Sequence, residues 1–347
     1  MIFLTPVFQL IILGFAVNMD PHNIPAALLN YDTERFSQIF VTAAQNTDYF
    51  SVSQYASEPE AEKALARGDV LFIITIPEGF TQKILRGEKP QILIQADAVD
   101  PTATGNALNA LVQVSASMFQ YDLPEALQDE NDTEQFELII HRMFNPEGIT
   151  QYNTLPGIIG SILSTTLILM TALSVTRERE TGAMENLLIS PVTALEVITG
   201  KITPYIIIGF TQAVLILLCS VFLFKLPMLG NILMLLLVLL IYIFLCLSVG
   251  ITISCLAKNQ LQALQMSSFY FIPSVMLSGF ISPFISMPIW AQYIGSCLPL
   301  TWFIRLVKSI MLKGYTITHF LPDLLMLIAL TIIVIVAGLK TWRNTLD

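Results

Sequence analysis

The side chains best spaced to do work lie between Thr176 and Lys201, in the run TRERETGAMENLLISPVTALEVITGK. Arg177, Glu178, Arg179, Glu180 and Glu185 are interleaved with Met184, Leu187, Leu188 and Ile189, and Pro191 closes the run. That spacing predicts a short amphipathic helix whose apolar stripe needs another surface to cover it. A second helical turn, Ala194–Thr199, is expected before the next apolar segment. Charges beside an exposed stripe recognise a partner; they break no bond.

Groups that could break bonds are scattered. His22, His141 and His319 are far apart, and Cys219, Cys246, Cys255 and Cys297 show no C-x-x-C spacing. The histidines read as surface or interface residues and the cysteines as small apolar packing residues. Gly200-Lys201 is followed by Ile202 and lacks the upstream glycine of a phosphate-cradling loop. H-E-x-x-H and G-x-S-x-G are absent as well. The expectation is a chain with no catalytic residue, no metal and no cofactor of its own.

The elements that hold the loop are legible from composition. Hydrophobic residues make up 54% of 347 and charged ones 12%, far from an ordinary soluble domain. Six apolar runs approach the length that crosses a bilayer: Ile2–Val17, Leu155–Val175, Ile202–Phe224, Ile232–Leu256, Leu261–Ile281 and Leu324–Leu339. None contains Asp, Glu, Lys, Arg or His, which disfavours an ion-coupled carrier with a titrating group at mid-membrane. Ile2–Val17 rises about 24 Å, short of a full crossing, so a start upstream of Met1 is expected.

Between the first two runs lies an acidic segment. Asn18–Tyr152 carries 20 Asp and Glu against 7 Lys and Arg, a net of −13, while the rest of the chain is at +4. An acidic domain repels phosphate backbones, which disfavours nucleic acid as a partner for that face. Strands are expected at Ile24–Leu29, Tyr49–Tyr55, Val70–Ile76, Gln91–Ala96 and Phe136–Met143. Helices are expected at Glu60–Arg67, Pro77–Arg86 and Thr104–Phe119, with turn signals at Gly68, Gly87 and Asp100-Pro101. Asp122–Glu137 reads as an acidic loop or solvated helix.

The fold class expected is thus a polytopic α-helical membrane protein of about six spans with an inserted α/β domain. Its divisions are residues 1–17, a first span; 18–152, the α/β domain on the outer side; and 153–347, five spans with the loop 176–201 inside. Basic residues support that orientation: Arg177, Arg179, Lys201, Lys258, Lys340 and Arg343 fall inside, against Lys225, Arg305, Lys308 and Lys313 outside. Pro288 and Pro299 break Ile285–Ile304 into pieces too short to cross, so residues 283–314 read as a re-entrant helix pair on the outer side. Arg305 and Lys308 share the polar face of its second helix, where they snorkel or meet anionic headgroups. Gly157, Gly160, Ser161, Ser164 and Thr165 form a small-residue stripe for close helix approach, within one chain or between two. Pro273 and Gly279 are hinge candidates.

The loop, with Gly200, Lys201, Pro204 and Tyr205, resembles type 2 ATP-binding-cassette exporter permeases. The resemblance extends to Asn23-Ile24-Pro25, Ile76-Pro77-Glu78-Gly79-Phe80, Asn145-Pro146-Glu147 and Leu277-Ser278-Gly279-Phe280, and so to most of the chain. It implies a permease subunit in the bacterial inner membrane, paired with a second permease copy in a homodimer or heterodimer. A separate ABC ATPase subunit would bind ATP and Mg. The coupling loop, with Arg177, Glu178, Arg179, Glu180, Thr181, Gly182, Glu185 and Leu188, would seat in that ATPase. Members with a large external domain also work with a periplasmic adaptor and an outer-membrane channel, exporting drugs or other amphipathic compounds. Spans two and five, with their partners' copies, would form the conduit. The competing reading is a membrane sensor or scaffold whose external domain binds a ligand and signals through the loop.

Overall fold

The computed structural model describes residues 22–115, 118–119, 135–181, 194–314 and 317–344. The chain divides into two compact units, Asn18–Asn153 and Thr154–Asp347 with Met1–Val17. The first expected span and most of the acidic stretch after Asp122 lie outside the described residues.

In the first unit the order is β1 (Ile24–Asn30), α1 (Arg35–Asn46), β2 (Phe50–Gln54), α2 (Glu58–Arg67), β3 (Phe72–Ile76), α3 (Phe80–Leu85), β4 (Gln91–Asp97), α4 (Pro101–Ser115) and β5 (Glu137–Met143). The strands form one sheet in the order β2-β1-β3-β4-β5. Only the β3–β4 pair is antiparallel. Alternation along β1 explains the layering. Ala26 and Leu28 face a core shared with Phe36 and Phe40 of α1, Phe80 of α3 and Leu111 of α4. Ala27 and Leu29 face the opposite core, shared with Ala61, Ala64 and Leu65 of α2. Both sheet faces are thus covered, as parallel pairing requires.

The strands coincide with the runs expected from sequence to within two residues. Helix α1 was not expected. Phe36, Phe40 and Ala44 recur at four-residue spacing and all are buried, but Ile39, Val41 and Thr42 between them are β-branched and weak helix formers. Packing on the sheet decides the segment.

The second unit contains α5 (Thr150–Glu180), α6 (Ala194–Phe222), α7 (Ile232–Leu256), α8 (Gln260–Leu277), α9 (Ile289–Ser296), α10 (Pro299–Met311) and α11 (Ile317–Asn344). Among the described residues four helices are long and apolar enough to cross a membrane, those at 150–180, 202–222, 232–256 and 320–338, or five if α9 and α10 count as one broken span. The expected count of about six is therefore reduced for the described chain. Helix α8, expected as a span over Leu261–Ile281, has 18 residues, and Gln260, Gln262, Gln265, Ser267, Ser268 and Ser274 make it less apolar than the others. Where a re-entrant pair is expected, α9 and α10 meet at 85°, a bend shared by a broken span and a re-entrant loop. Helix α10 buries Leu300, Phe303, Ile304, Val307 and Ile310 along one stripe.

The loop expectation is corrected in one respect. Arg177–Glu180 do not begin a separate helix; they are the last turn of α5, which runs 31 residues without interruption. Continuous i to i−4 bonding is possible because no proline or glycine intervenes between Ser161 and Thr181. Likewise Ala194–Thr199 is the start of α6 and not an isolated turn. Gly182, Glu185, Leu188 and Pro191 lie outside the described residues.

Candidate coupling site

Helix α5 is about 46 Å long at 1.5 Å per residue, so a rod that spans about 30 Å of hydrocarbon carries Arg177–Glu180 past its end. There it meets the corner between α7 and α8. Helix α7 ends at Ala257, whose backbone turns extended, and Asn259 opens α8 by accepting a hydrogen bond from the Gln262 N–H. Gln262 returns a bond through Oε1 to the Lys258 N–H at 2.8 Å. These reciprocal bonds satisfy amides that a helix start leaves unpaired.

Two side chains of α5 grip this corner. Arg179 Nη1 donates to the Ala257 carbonyl at 3.0 Å. The Glu180 carboxylate accepts from the Gln260 N–H at 2.8 Å and from Gln260 Nε2. A carboxylate at the first turn of α8 also meets the positive end of that helix's dipole. The Gln260 side-chain amide, and after it the Gln260 backbone N–H, hold the Glu180 carboxyl below its ordinary 4.5. Just inside the grip, Val175 of α5, Ile251 and Cys255 of α7 and Ile202 of α6 form a small apolar cluster. Thr181 Oγ1 donates to the Arg177 carbonyl at 3.1 Å. Arg177 is exposed and Glu178 half-buried. Sequence spacing places none of the Glu180–Gln260 contact on view, since 80 residues separate the partners.

Further along the same rod, the small residues seat rings from their own chain. A Cβ on Gly157 would lie 2.0 Å from the Phe280 ring, and one on Gly160 would lie 2.6 Å from Leu300 and 2.7 Å from Phe303. Tyr242 of α7 donates to the Gly160 carbonyl at 3.2 Å and stacks on Phe303, with ring centroids 4.0 Å apart. Of the two readings of the stripe, packing within one chain accounts for both glycines. Ser164 bonds back to the Ser161 carbonyl at 3.1 Å, and Thr165 does so at 2.7 Å. Thr166 donates to Gln212 Oε1 of α6 at 3.0 Å, an interhelical bond of the kind that holds membrane helices together.

Between α5 and α8, Ser164, Thr165, Ile168, Leu169, Ser267, Ser268 and Phe271 line a recess of about 40 Å³. The hydroxyls of Ser161, Thr171 and Ser267 are buried without a hydrogen-bond partner. Pro273 lies inside α8 two residues beyond this recess. Gly279, the other hinge candidate, follows the helix in the left-handed region at φ +81, with Phe284 3.1 Å from where its Cβ would be. It is a tight turn, where only glycine fits without strain. Among the described residues no three His, Cys, Asp or Glu side chains could hold a metal ion. Four hydroxyls and one aromatic ring thus face the recess.

Long apolar helices joined by a polar corner, in a chain that also carries an α/β unit, define a multi-pass helical membrane protein. Residues 1–340 match the family described as ABC-2 family transporter protein, and the chain belongs to that family. It is 28% identical over 98% of its length, and 89% of the relative's, to the probable multidrug ABC transporter permease YbhS of Escherichia coli strain K12. The probable multidrug ABC transporter permease YbhR of the same strain is 26% identical over 88% of this chain and 82% of its own. The linearmycin resistance permease protein LnrN of Bacillus subtilis strain 168 is 22% identical over 98% and 93%. A crystal structure of a domain of a putative ABC type-2 transporter from Thermotoga maritima MSB8 covers 34% of this chain and 84% of its own, at 24% identity and a TM-score of 0.26.

Proposed function

We propose that this chain is the permease subunit of an ATP-driven exporter that moves amphipathic compounds, drugs among them, outward across a bacterial inner membrane. Membership of the ABC-2 family implies an ABC ATPase partner, and ATP and Mg belong on that subunit. Two permease copies complete the transporter, with residues 18–152 on the outer side, where an adaptor and an outer-membrane channel continue the path. Names of relatives that include multidrug and linearmycin resistance permeases support the substrate class.

The observation that carries the reading is the grip of Arg179 and Glu180 on the α7–α8 corner. A push on the loop at Thr181 and beyond reaches α5 directly, because the last turn is continuous with the span. It reaches α8, which borders the polar recess, through Gln260. Closure of an ATPase around the loop is thereby converted into relative movement of α5 and α8.

The test is ATP-dependent uptake of Hoechst 33342 by inverted vesicles containing the chain and its ATPase subunit. Glu180→Lys with Glu185→Lys is expected to abolish uptake at unchanged membrane level. Normal assembly and uptake in that variant would sink the coupling role. Uptake that collapses with a protonophore at constant ATP would sink the ATP-driven reading altogether.

A further inference from the structure

The end of the helical unit opposite the Arg179–Glu180 grip carries an unusual charge balance. Lys225, Arg305, Lys308 and Lys313 stand there against a single carboxylate, Asp323, across residues 223–231 and 278–323. They belong to two separate stretches that the fold joins at one junction. The Leu229 N–H donates to the Met311 carbonyl at 3.0 Å. Gly230 sits so close to α10 that a Cβ would lie 2.3 Å from the Ile310 carbonyl, and one on Gly314 would lie 2.9 Å from Leu229. Lys225, Lys308 and Lys313 are therefore each within four residues of this junction, and Arg305 is within two helical turns.

Both stretches also carry exposed apolar and aromatic surface. On α9, Ile289, Trp290, Tyr293 and Ile294 are exposed, and Phe222, Leu223, Leu229 and Leu233 are exposed around the α6–α7 connection. Aromatic rings and aliphatic side chains beside cations are the signature of the layer where acyl chains meet headgroups. The Arg305 guanidinium lies over the rings of Phe284 at 5.2 Å and Trp302 at 5.4 Å. Trp302 is itself fixed by Nε1 donating to the Ser296 carbonyl at 2.7 Å. A guanidinium held by its faces keeps its in-plane N–H donors for a planar or tetrahedral oxyanion.

We propose that this corner binds the phosphate of an anionic phospholipid, with Arg305 and Lys308 as the principal contacts and Lys225 and Lys313 completing the field. The inference goes beyond the transport reading and does not depend on it. Simple snorkelling would place the same cations near headgroups without preference among lipids; four of them on two stretches joined at one junction select a negative one.

The experiment compares spin-labelled phosphatidylglycerol with spin-labelled phosphatidylcholine at the surface of the full chain in phosphatidylcholine vesicles. The chain is expected to retain phosphatidylglycerol at least about fivefold better, the preference one cation near a surface confers. Arg305→Gln with Lys308→Gln should bring the ratio close to one, while Arg305→Lys keeps most of it. Should loss of the ring contacts unfold the first variant, Lys225→Gln with Lys313→Gln, both outside the helices, should still lower the ratio. Equal retention of the two lipids by the unaltered chain overturns the proposal, and so does a ratio that survives both double variants. Competition by inorganic phosphate without any lipid preference overturns it too.

Discussion

Glu180, in the last turn of α5, accepts two hydrogen bonds from Gln260, the first residue of α8, one from its main chain and one from its side chain. The bonds favour the charged carboxylate, and the folded carboxyl lies below 4.5. A depressed carboxyl contributes stability that is fully present above the unfolded value and is lost as pH falls through the folded one. The Gln260 contact is therefore intact at neutral pH and loosens only in acid, below about 4.5. Carbon-detected titration of the Glu180 carboxyl should place its midpoint below that of a free glutamate, and Gln260→Ala should return it upward. Solvent exposure screens this pair, so the midpoint reports it more directly than a melting temperature does.

Glycine substitutions on the helices should split by position. Inside a helix, Gly→Ala ordinarily stabilises by about 1 kcal/mol. Gly200 of α6 is exposed with nothing near its would-be Cβ, and Gly200→Ala should follow that rule. At Gly157 and Gly160 the added methyl meets the bodies of the Phe280 and Phe303 rings, which cannot swing aside as a chain end could. Gly157→Ala and Gly160→Ala should instead destabilise by about 1–3 kcal/mol through overpacking. Thermal unfolding in detergent reads the sign, and a stabilising Gly160→Ala would show that α5 and α10 are not in contact as described.

In the α/β unit, Asp32 joins the end of β1 to α3. Its Oδ2 accepts from the Thr81 N–H and its Oδ1 from the Glu34 N–H at 2.8 Å, while Ser37 Oγ donates to the Asp32 carbonyl. The residue is 4% exposed, so water does not replace a lost partner. Asp32→Ala should cost about 1–3 kcal/mol, the penalty of a buried donor left unpaired. Hydrogen exchange of the full chain should show the Thr81 and Glu34 amides losing protection, with the β4 amides far less affected.

What the sequence discloses here depends on how local the deciding interaction is. β3 is marked by Phe72, Ile73, Ile74 and Ile76 in one run, with Gly68 ahead and Gly79 behind, both in the left-handed region; every cue lies within a dozen residues. α1 escaped because its cues conflict: the spacing of Phe36, Phe40 and Ala44 is helical but the residues between are strand-formers, and its first residue has no side-chain cap. In the candidate site, the charged run Arg177–Glu180 is visible by composition. Its partners are not, because Ala257 offers only a backbone carbonyl and Gln260 reads as one polar residue at a helix start. The small residues of α5 are also visible in sequence, yet the rings that fill them, Phe280 and Phe303, are more than a hundred residues away.

Arg179 and Glu180 act on the same corner through different atoms, and that difference can be measured. Arg179 holds a main-chain oxygen of fully buried Ala257, so no substitution at 257 removes the acceptor; only Arg179→Ala does. Glu180 holds the Gln260 main-chain N–H, which any residue but proline supplies, and the side-chain amide, which Gln260→Ala removes. Losing the Arg179 contact should cost on the order of 0.5–1.5 kcal/mol, and losing the solvent-screened Gln260 side chain should cost less. If the two contacts clamp one rigid corner, releasing either lets the corner shift and weakens the other. Arg179→Ala with Gln260→Ala should then destabilise by less than the two single changes together, a non-additivity typical of groups sharing one network. Simple additivity in thermal unfolding would mean that the contacts are independent. The α5 rod would then bear on α7 and α8 separately, and a push on the loop would have no single corner through which to reach the recess.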